Sequence, residues 1–208
     1  MTPPTGVLGT GNAHKVRELQ ELLADTPVVW HSLAEFPGIP EVPETGQTFA
    51  ENARLKAVGY ARAIGQWVLA EDAGLMVDAL GGEPGVLSAR YAGEPRDDRR
   101  NIELLLQRLK DVPPERRTAQ FVCHMVLADP AGQIVAETTG LCRGRITDAP
   151  RGDHGFGYDP VFEIPEYHRT FAELGLAVKG CLSHRARAAQ AMVNHIRRLV
   201  TSGRWRSE

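Results

Sequence analysis

The stretch AQFVCHMVLAD, residues 119–129, is apolar at both alternations, as a strand in the middle of a sheet has to be. DPAG (129–132) turns it back into QIVAETTGLCRGRI (133–146), which predicts a hairpin at the centre of the fold. Around it, strand and helix signals alternate. Val7 and Leu8 form a short apolar strand before a helix on which Val16, Leu19, Leu22 and Leu23 recur at helical spacing. PVVWHSL (27–33) reads as a second strand, followed by the Pro-rich loop FPGIPEVPETG (36–46), long for a mere connector. TFAENARLKAVGYARAIG (48–65) opens on a capping box, Thr48 to Glu51, and stops near Gly65. WVLAEDAG (67–74) predicts a strand ending in two acids. RRNIELLLQRL (99–109) places Ile102, Leu105, Leu106 and Leu109 on one helical stripe. A last helix from Ser183 buries Ala186, Ala189, Met192, Val193, Ile196 and Leu199. The alternation predicts an α/β protein.

A chain of 208 residues suits one domain, or two small lobes sharing a sheet, and we expect a single domain over residues 1–208. The formal net charge of −2 argues against a protein that grips polymeric nucleic acid by bulk electrostatics, though not against one that binds a single nucleotide. Cys123, Cys142 and Cys181 are odd in number and carry no CxxC spacing, so neither a disulfide framework nor a zinc site is expected. Reduced cytosol is their natural compartment. MTPPTGVLGTG has no basic segment followed by an apolar run, and no later stretch is long and apolar enough to span a membrane. The expectation is a cytoplasmic protein with no membrane partner.

LGTGNAHKVRELQELL (8–23) starts like a nucleotide-binding loop and then departs from both common patterns. His14 stands where a dinucleotide fingerprint needs its third Gly, and Gly11 is followed by Asn12 and Ala13 where a P-loop needs Lys and Ser or Thr. What remains is a Gly-rich turn, an Asn12 N-cap, and a first helical turn bearing His14 and Lys15 with no acid before Glu18. Cations there oppose the helix dipole, and the ordinary reading is a solvated Lys on a capped helix. A second helix start, after Ser183 in KGCLSHRARA, also carries cations, His184 and Arg185. Asn52 and Lys56 share a helix face at i, i+4. Glu44 lies in the Pro-rich loop, while Glu71 and Asp72 follow an apolar run, at the strand end where open α/β sheets bind ligands. Such oxygen ligands suit Mg²⁺ bridged to phosphate. In GFGYDPVF (155–162), Tyr158 and Phe162 read as core, and Phe156 between two glycines is placed to be exposed for stacking on a base.

TGNAHKVREL, ETGQTFAENARLKA, LAEDAGLMVDALGGEPGVLSARYAG, GFGYDPVF and KGCLSHR, in this order and spanning nearly the whole chain, resemble the noncanonical purine nucleoside triphosphate pyrophosphatases, the inosine/xanthosine triphosphatase family. The resemblance implies an elongated two-lobed mixed β-sheet flanked by helices, usually in a homodimer, with the nucleotide in the cleft between lobes. It also implies Mg²⁺-dependent hydrolysis of ITP, dITP or XTP to a nucleoside monophosphate and pyrophosphate. By the same resemblance, the phosphate loop falls on Thr10, Gly11, Asn12, Ala13, His14 and Lys15, with Asn52, Lys56 and Ala73 also at the substrate. The metal and base carboxylates fall on Glu44, Glu71 and Asp72, with Lys56 and Asp72 as catalytic groups and the division among the three acids open. The base pocket falls on Phe156, Gly157, Tyr158, Asp159, Lys179, His184 and Arg185.

Three departures from the family pattern stand out. Pro43-Glu44 replaces a frequent acidic doublet, Glu71-Asp72-Ala73 replaces Asp-Asp-Ser, and Ala177 and Val178 are apolar where charges are frequent. Two rival readings remain. A nucleotide-binding regulator would not need the three acids, and a pyrophosphatase for modified pyrimidine or methylated nucleotides fits the SHR and FGYD segments less well.

Overall fold

The structure is a computed structural model describing residues 2–206. In chain order its main elements are β1 (Thr5–Leu8), α1 (Ala13–Leu22), β2 (Val29–Ser32), α2 (Phe49–Ile64), β3 (Val68–Val77), α3 (Asp98–Arg108), β4 (Thr118–Ala128), β5 (Ile134–Ile146), β6 (Phe162–Ile164), β7 (Arg169–Thr170), α4 (Phe171–Leu182) and α5 (His184–Thr201). The strands form one seven-stranded sheet in the order β2-β1-β3-β4-β5-β6-β7. It is mixed: β1 pairs parallel with β2 and β3, whereas β6 pairs antiparallel with β5 and β7. The α/β class expected from the sequence is the class observed. β4 stands in the middle of the order, as apolar residues at both alternations require.

The chain divides into two compact units, 1–72, 123–140 and 187–208 in one, 73–122 and 141–186 in the other, and β3, β4 and β5 contribute residues to both. The first unit packs Ala53, Ala57, Tyr60 and Ala61 of α2 on Val7, Val68, Ala70, Val126 and Ala128 of the sheet. Small residues on α2 let it lie close to the strands. The core of the second is larger-grained, with Phe121, Phe162 and Phe171 packed on Leu105, Leu109, Ile146 and Tyr158. Tyr158 and Phe162 are core, as read from the sequence. α5 buries Ala186, Ala188, Ala189, Met192, Ile196 and Leu199, with Val193 half-buried rather than buried. Among the described residues, no helix is long and apolar enough to cross a membrane.

Caps fall where the residue types demand. The Asn12 side chain accepts from the N–H groups of His14 and Lys15, at 2.9 and 3.3 Å, and Thr48 with Glu51 closes a reciprocal capping box on α2. α2 ends at Gly65 in the left-handed conformation.

One expectation needs correcting. Glu71 and Asp72 are not at the end of their strand, because β3 runs on through Gly74 to Val77, carried by the apolar Leu75, Met76 and Val77. The strand that ends here is β1, whose last residue, Leu8, pairs with Leu69. Gly9 then donates its N–H to the Leu69 carbonyl at 2.8 Å. The carboxyl-end argument therefore holds for β1, and the two acids on β3 lie just past that end.

Candidate active site

In the first unit, a set of charged side chains gathers around the acids of β3. Successive residues on a strand point to opposite faces, so Glu71 and Asp72 are directed to different partners. Asp72 is met by α2: Lys56 Nζ lies 3.2 Å from its Oδ1, and Asn52 Nδ2 donates to its Oδ2 at 3.2 Å. The i, i+4 spacing expected to put Asn52 and Lys56 on one face does so. Lys56 Nζ also lies 2.8 Å from Glu44 Oε1, drawing the Pro-rich loop onto the helix. Asn52 Oδ1 accepts from the Gly46 N–H at 2.8 Å. A Cβ at Gly46 would stand 2.8 Å from that oxygen and 2.6 Å from Glu51 Cβ, so the turn can close on α2 only without a side chain.

Glu71 is 1% exposed and has other partners. Its Oε1 lies 3.2 Å from Lys15 Nζ, and its Oε2 accepts a hydrogen bond from the Cys123 thiol at 2.8 Å. The Lys15 side chain is 17% exposed, so the ordinary reading of a solvated surface lysine does not hold. Among the described residues, no three His, Cys, Asp or Glu side chains are grouped to hold a metal ion. Glu44 and Asp72, however, converge on a single cation, the Lys56 ammonium. Two hard carboxylates converging on one point are what the protein contributes to a Mg²⁺ that takes its other ligands from phosphate and water.

The electrostatics follow from burial. Desolvation raises the Asp72 carboxyl pKa, with Lys56 and then Lys15 pulling it down and Glu44 pushing it up, and the net result lies above the ordinary aspartate value. Burial pulls the Lys56 ammonium down, but Asp72 and Glu44 outweigh it and hold its pKa above the ordinary lysine value.

The phosphate-loop residues Thr10, Gly11, Asn12, Ala13 and His14 lie between β1 and the first turn of α1, half-buried at Thr10 and exposed from Gly11 to His14. An added Cβ on Gly11 would meet nothing within 4 Å, so the backbone there is open to approach. No acid sits in the first turn of α1. Ala73 follows on β3, half-buried.

In the second unit, the GFGYD turn is organised by Asp159. Its Oδ2 accepts from the Phe156 N–H at 3.0 Å and from Lys179 Nζ at 2.6 Å, and both charged side chains are buried. Lys179 Nζ is 4.4 Å from the Phe156 ring centroid, and the Arg185 guanidinium is 5.8 Å from it. Phe156 is half-buried against two cations, a correction to the freely exposed ring expected from its flanking glycines. The Gly157 N–H donates to Asp98 at 2.7 Å, and the Tyr158 hydroxyl donates to the Ser88 carbonyl at 2.8 Å. Buried His184 stacks on Phe121, with centroids 4.7 Å apart and planes 12° apart. Each motif thus has a place: Lys15, Glu44, Asn52, Lys56, Glu71 and Asp72 gather in one unit, Phe156, Asp159, Lys179 and Arg185 in the other. Sequence pattern misses Cys123 as a partner of Glu71, because it gives the alternation of β4 but not which β3 residue lies beside it.

The family model for the Ham1 family matches residues 6–195, which takes in all of these residues. This chain belongs to the Ham1 family. It is similar to a dITP/XTP pyrophosphatase of Rhodopirellula baltica, 52% identical over 196 residues that cover 94% of each chain. A second relative with the same activity in its name, from Geobacillus kaustophilus, is 50% identical and covers 97% of this chain and 98% of its own. Among solved structures, a HAM1 protein from Coxiella burnetii aligns at a TM-score of 0.85 with 37% identity, covering 96% of this chain and 99% of that one. The mixed seven-stranded sheet is therefore a Ham1 fold.

Proposed function

We propose that this Ham1 protein hydrolyses ITP, dITP and XTP to the nucleoside monophosphate and pyrophosphate with Mg²⁺. The observation that carries the reading is the convergence of Glu44 and Asp72 on Lys56, beside Lys15 and a cation-bearing helix start. Thr10, Asn12 and the open backbone of the first α1 turn offer donors to the triphosphate, and Lys15 offers charge. Phe156, Asp159, Lys179, His184 and Arg185 are the groups we assign to the purine.

Glu44 and Asp72 would hold the metal, which when bound supplies Lewis-acid stabilisation of the negative charge that grows on the phosphoryl oxygens. Asp72 orients water and accepts its proton as the water oxygen bonds to the α-phosphorus. The bond from the α-phosphorus to the bridging oxygen breaks, and its electron pair leaves with pyrophosphate. Lys15 and Lys56 offset charge as it develops. The homodimer implied by the family resemblance belongs to the same proposal. ITP incubated with the protein and Mg²⁺ should give IMP and pyrophosphate in equal amounts, and chelator should stop it. Release of inorganic phosphate instead, or an undiminished rate in chelator, would contradict the reading.

A further inference from the structure

Cys123 lies on β4 with none of its surface exposed, and its thiol donates to Glu71 Oε2 at 2.8 Å. The other oxygen of that carboxylate lies 3.2 Å from Lys15 Nζ. A buried cysteine in an intracellular fold ordinarily serves as a small apolar filler. Here it faces a buried carboxylate, and a carboxylate taken out of water must be hydrogen-bonded or paired to remain ionised. Lys15 supplies the charge, and Cys123 fixes the oxygen that Lys15 does not hold.

From this geometry we propose that Cys123 is a positioning residue for triphosphate binding: through Glu71 it sets where the Lys15 ammonium stands. The inference rests on the phosphate-site reading above and gives Glu71 a role distinct from that of Asp72. Lys15 sits at residue three of α1, where no first-turn acid restrains it, and its side chain has four rotatable bonds. A Glu71 free to rotate would let the ammonium wander. A Glu71 clamped from β4 keeps the cation at the loop before substrate arrives, so less ordering is left to be done on binding.

The inference separates donation from packing. Cys123→Val stays apolar, adds about one methyl group and loses the donor, whereas Cys123→Ser keeps a donor and loses apolar character. Kinetics on ITP with Mg²⁺ should show KM raised about tenfold for C123V, the size of one hydrogen bond to a charged group, with any fall in kcat tracing to the charge that Lys15 offsets in turnover. C123S should restore KM. In a Lys15→Ala background the C123V effect should vanish, because its target is gone. Calorimetric binding of inorganic tripolyphosphate should weaken in parallel, without any turnover. If C123V does not fold, as judged by its melting transition, Cys123→Ala takes its place with the same expectation. Wild type binding tripolyphosphate no better than C123V, or C123S impaired as much as C123V, would overturn this inference alone. Failure of wild type to bind tripolyphosphate at all would overturn it together with the phosphate-site reading.

Discussion

Both oxygens of Asp72 take hydrogen bonds from α2, one from Lys56 and one from Asn52, in a place where burial still lifts its pKa above the ordinary value. An acid whose folded pKa is raised weighs against the fold at pH above that pKa, and the cost is relieved as pH falls through it. Asp72→Asn keeps the shape and removes the charge. At pH 7 its melting temperature should therefore match or exceed that of wild type, while turnover falls by about 10²–10⁴-fold for want of a proton acceptor. A variant with near-normal turnover would remove Asp72 from the chemistry. Much at this scale is legible in the sequence: the pairing of Asn52 with Lys56, the Asn12 cap and the cation at Lys15 all follow from residue type and spacing. The different duties of Glu71 and Asp72 are not, because adjacency in sequence conceals that a strand turns neighbours to opposite faces. The environment of Phe156 is hidden too, since flanking glycines speak of backbone freedom and not of Lys179, a residue brought in from another helix.

Among the elements, β6 carries Glu163, buried and held by two arginines: Arg145 Nε donates to Oε1 at 2.7 Å, and Arg151 binds Oε2. Burial pushes this carboxyl up, but the hydrogen bonds from Arg145 and Arg151 prevail and its pKa lies below the ordinary glutamate value. A depressed pKa adds stability that is fully present above the unfolded value, near 4.5, and is lost as pH falls through the folded value. Glu163→Gln should cost about 1 kcal/mol at pH 7, a modest figure because the arginine side chains are 42% and 41% exposed. Its melting temperature should also fall less steeply than that of wild type between pH 5 and pH 3, about the range where such carboxylates titrate. Parallel curves across that range would show that the pair contributes nothing to acid stability.

After α5, Trp205 stacks on Trp67 with centroids 4.5 Å apart, meets Trp30 edge-on at 5.7 Å and donates Nε1–H to the Thr5 carbonyl at 3.1 Å. Trp205→Ala should cost about 3–5 kcal/mol in urea denaturation, as deletion of a buried aromatic does. A loss below roughly 1 kcal/mol would mean the contact is idle in solution. Periodicity announces α1, α2, α3 and α5, but gives no sign that tryptophans at 30, 67 and 205 meet. It also passes over α4, although Thr170 and Glu173 form the same capping box as Thr48 and Glu51. Gly175, at φ 79° and ψ 172°, interrupts that helix and breaks the spacing by which it would be found.

At the scale of the molecule, each unit has its own core and its own part of the proposed chemistry, phosphate and metal groups in one, purine groups in the other. Changes in the first should then lower the rate on every base alike, whereas changes in the second should alter the choice of base. Phe156→Ala is the exception in the second unit, because stacking does not tell one base from another. Stacking on an aromatic is worth about 1–3 kcal/mol per base, so it should raise KM for ITP roughly tenfold or more while leaving products and Mg²⁺ dependence as they are. Base choice carries the central claim. His184 and Arg185 are buried at the start of α5, and in the proposed reading they donate to a 6-oxo oxygen, a donation that the 6-amino group of adenine cannot accept. Each donor buried without an acceptor costs about 1–3 kcal/mol, and two such mismatches reject ATP by a few orders of magnitude. The direct test is kcat/KM for ITP, XTP, GTP and ATP at one Mg²⁺ concentration. The account predicts ITP and XTP far above ATP, while GTP, which shares the 6-oxo oxygen, is turned away only by a contact at C2 that these two residues do not supply; hydrolysis of ATP as efficiently as ITP would contradict it.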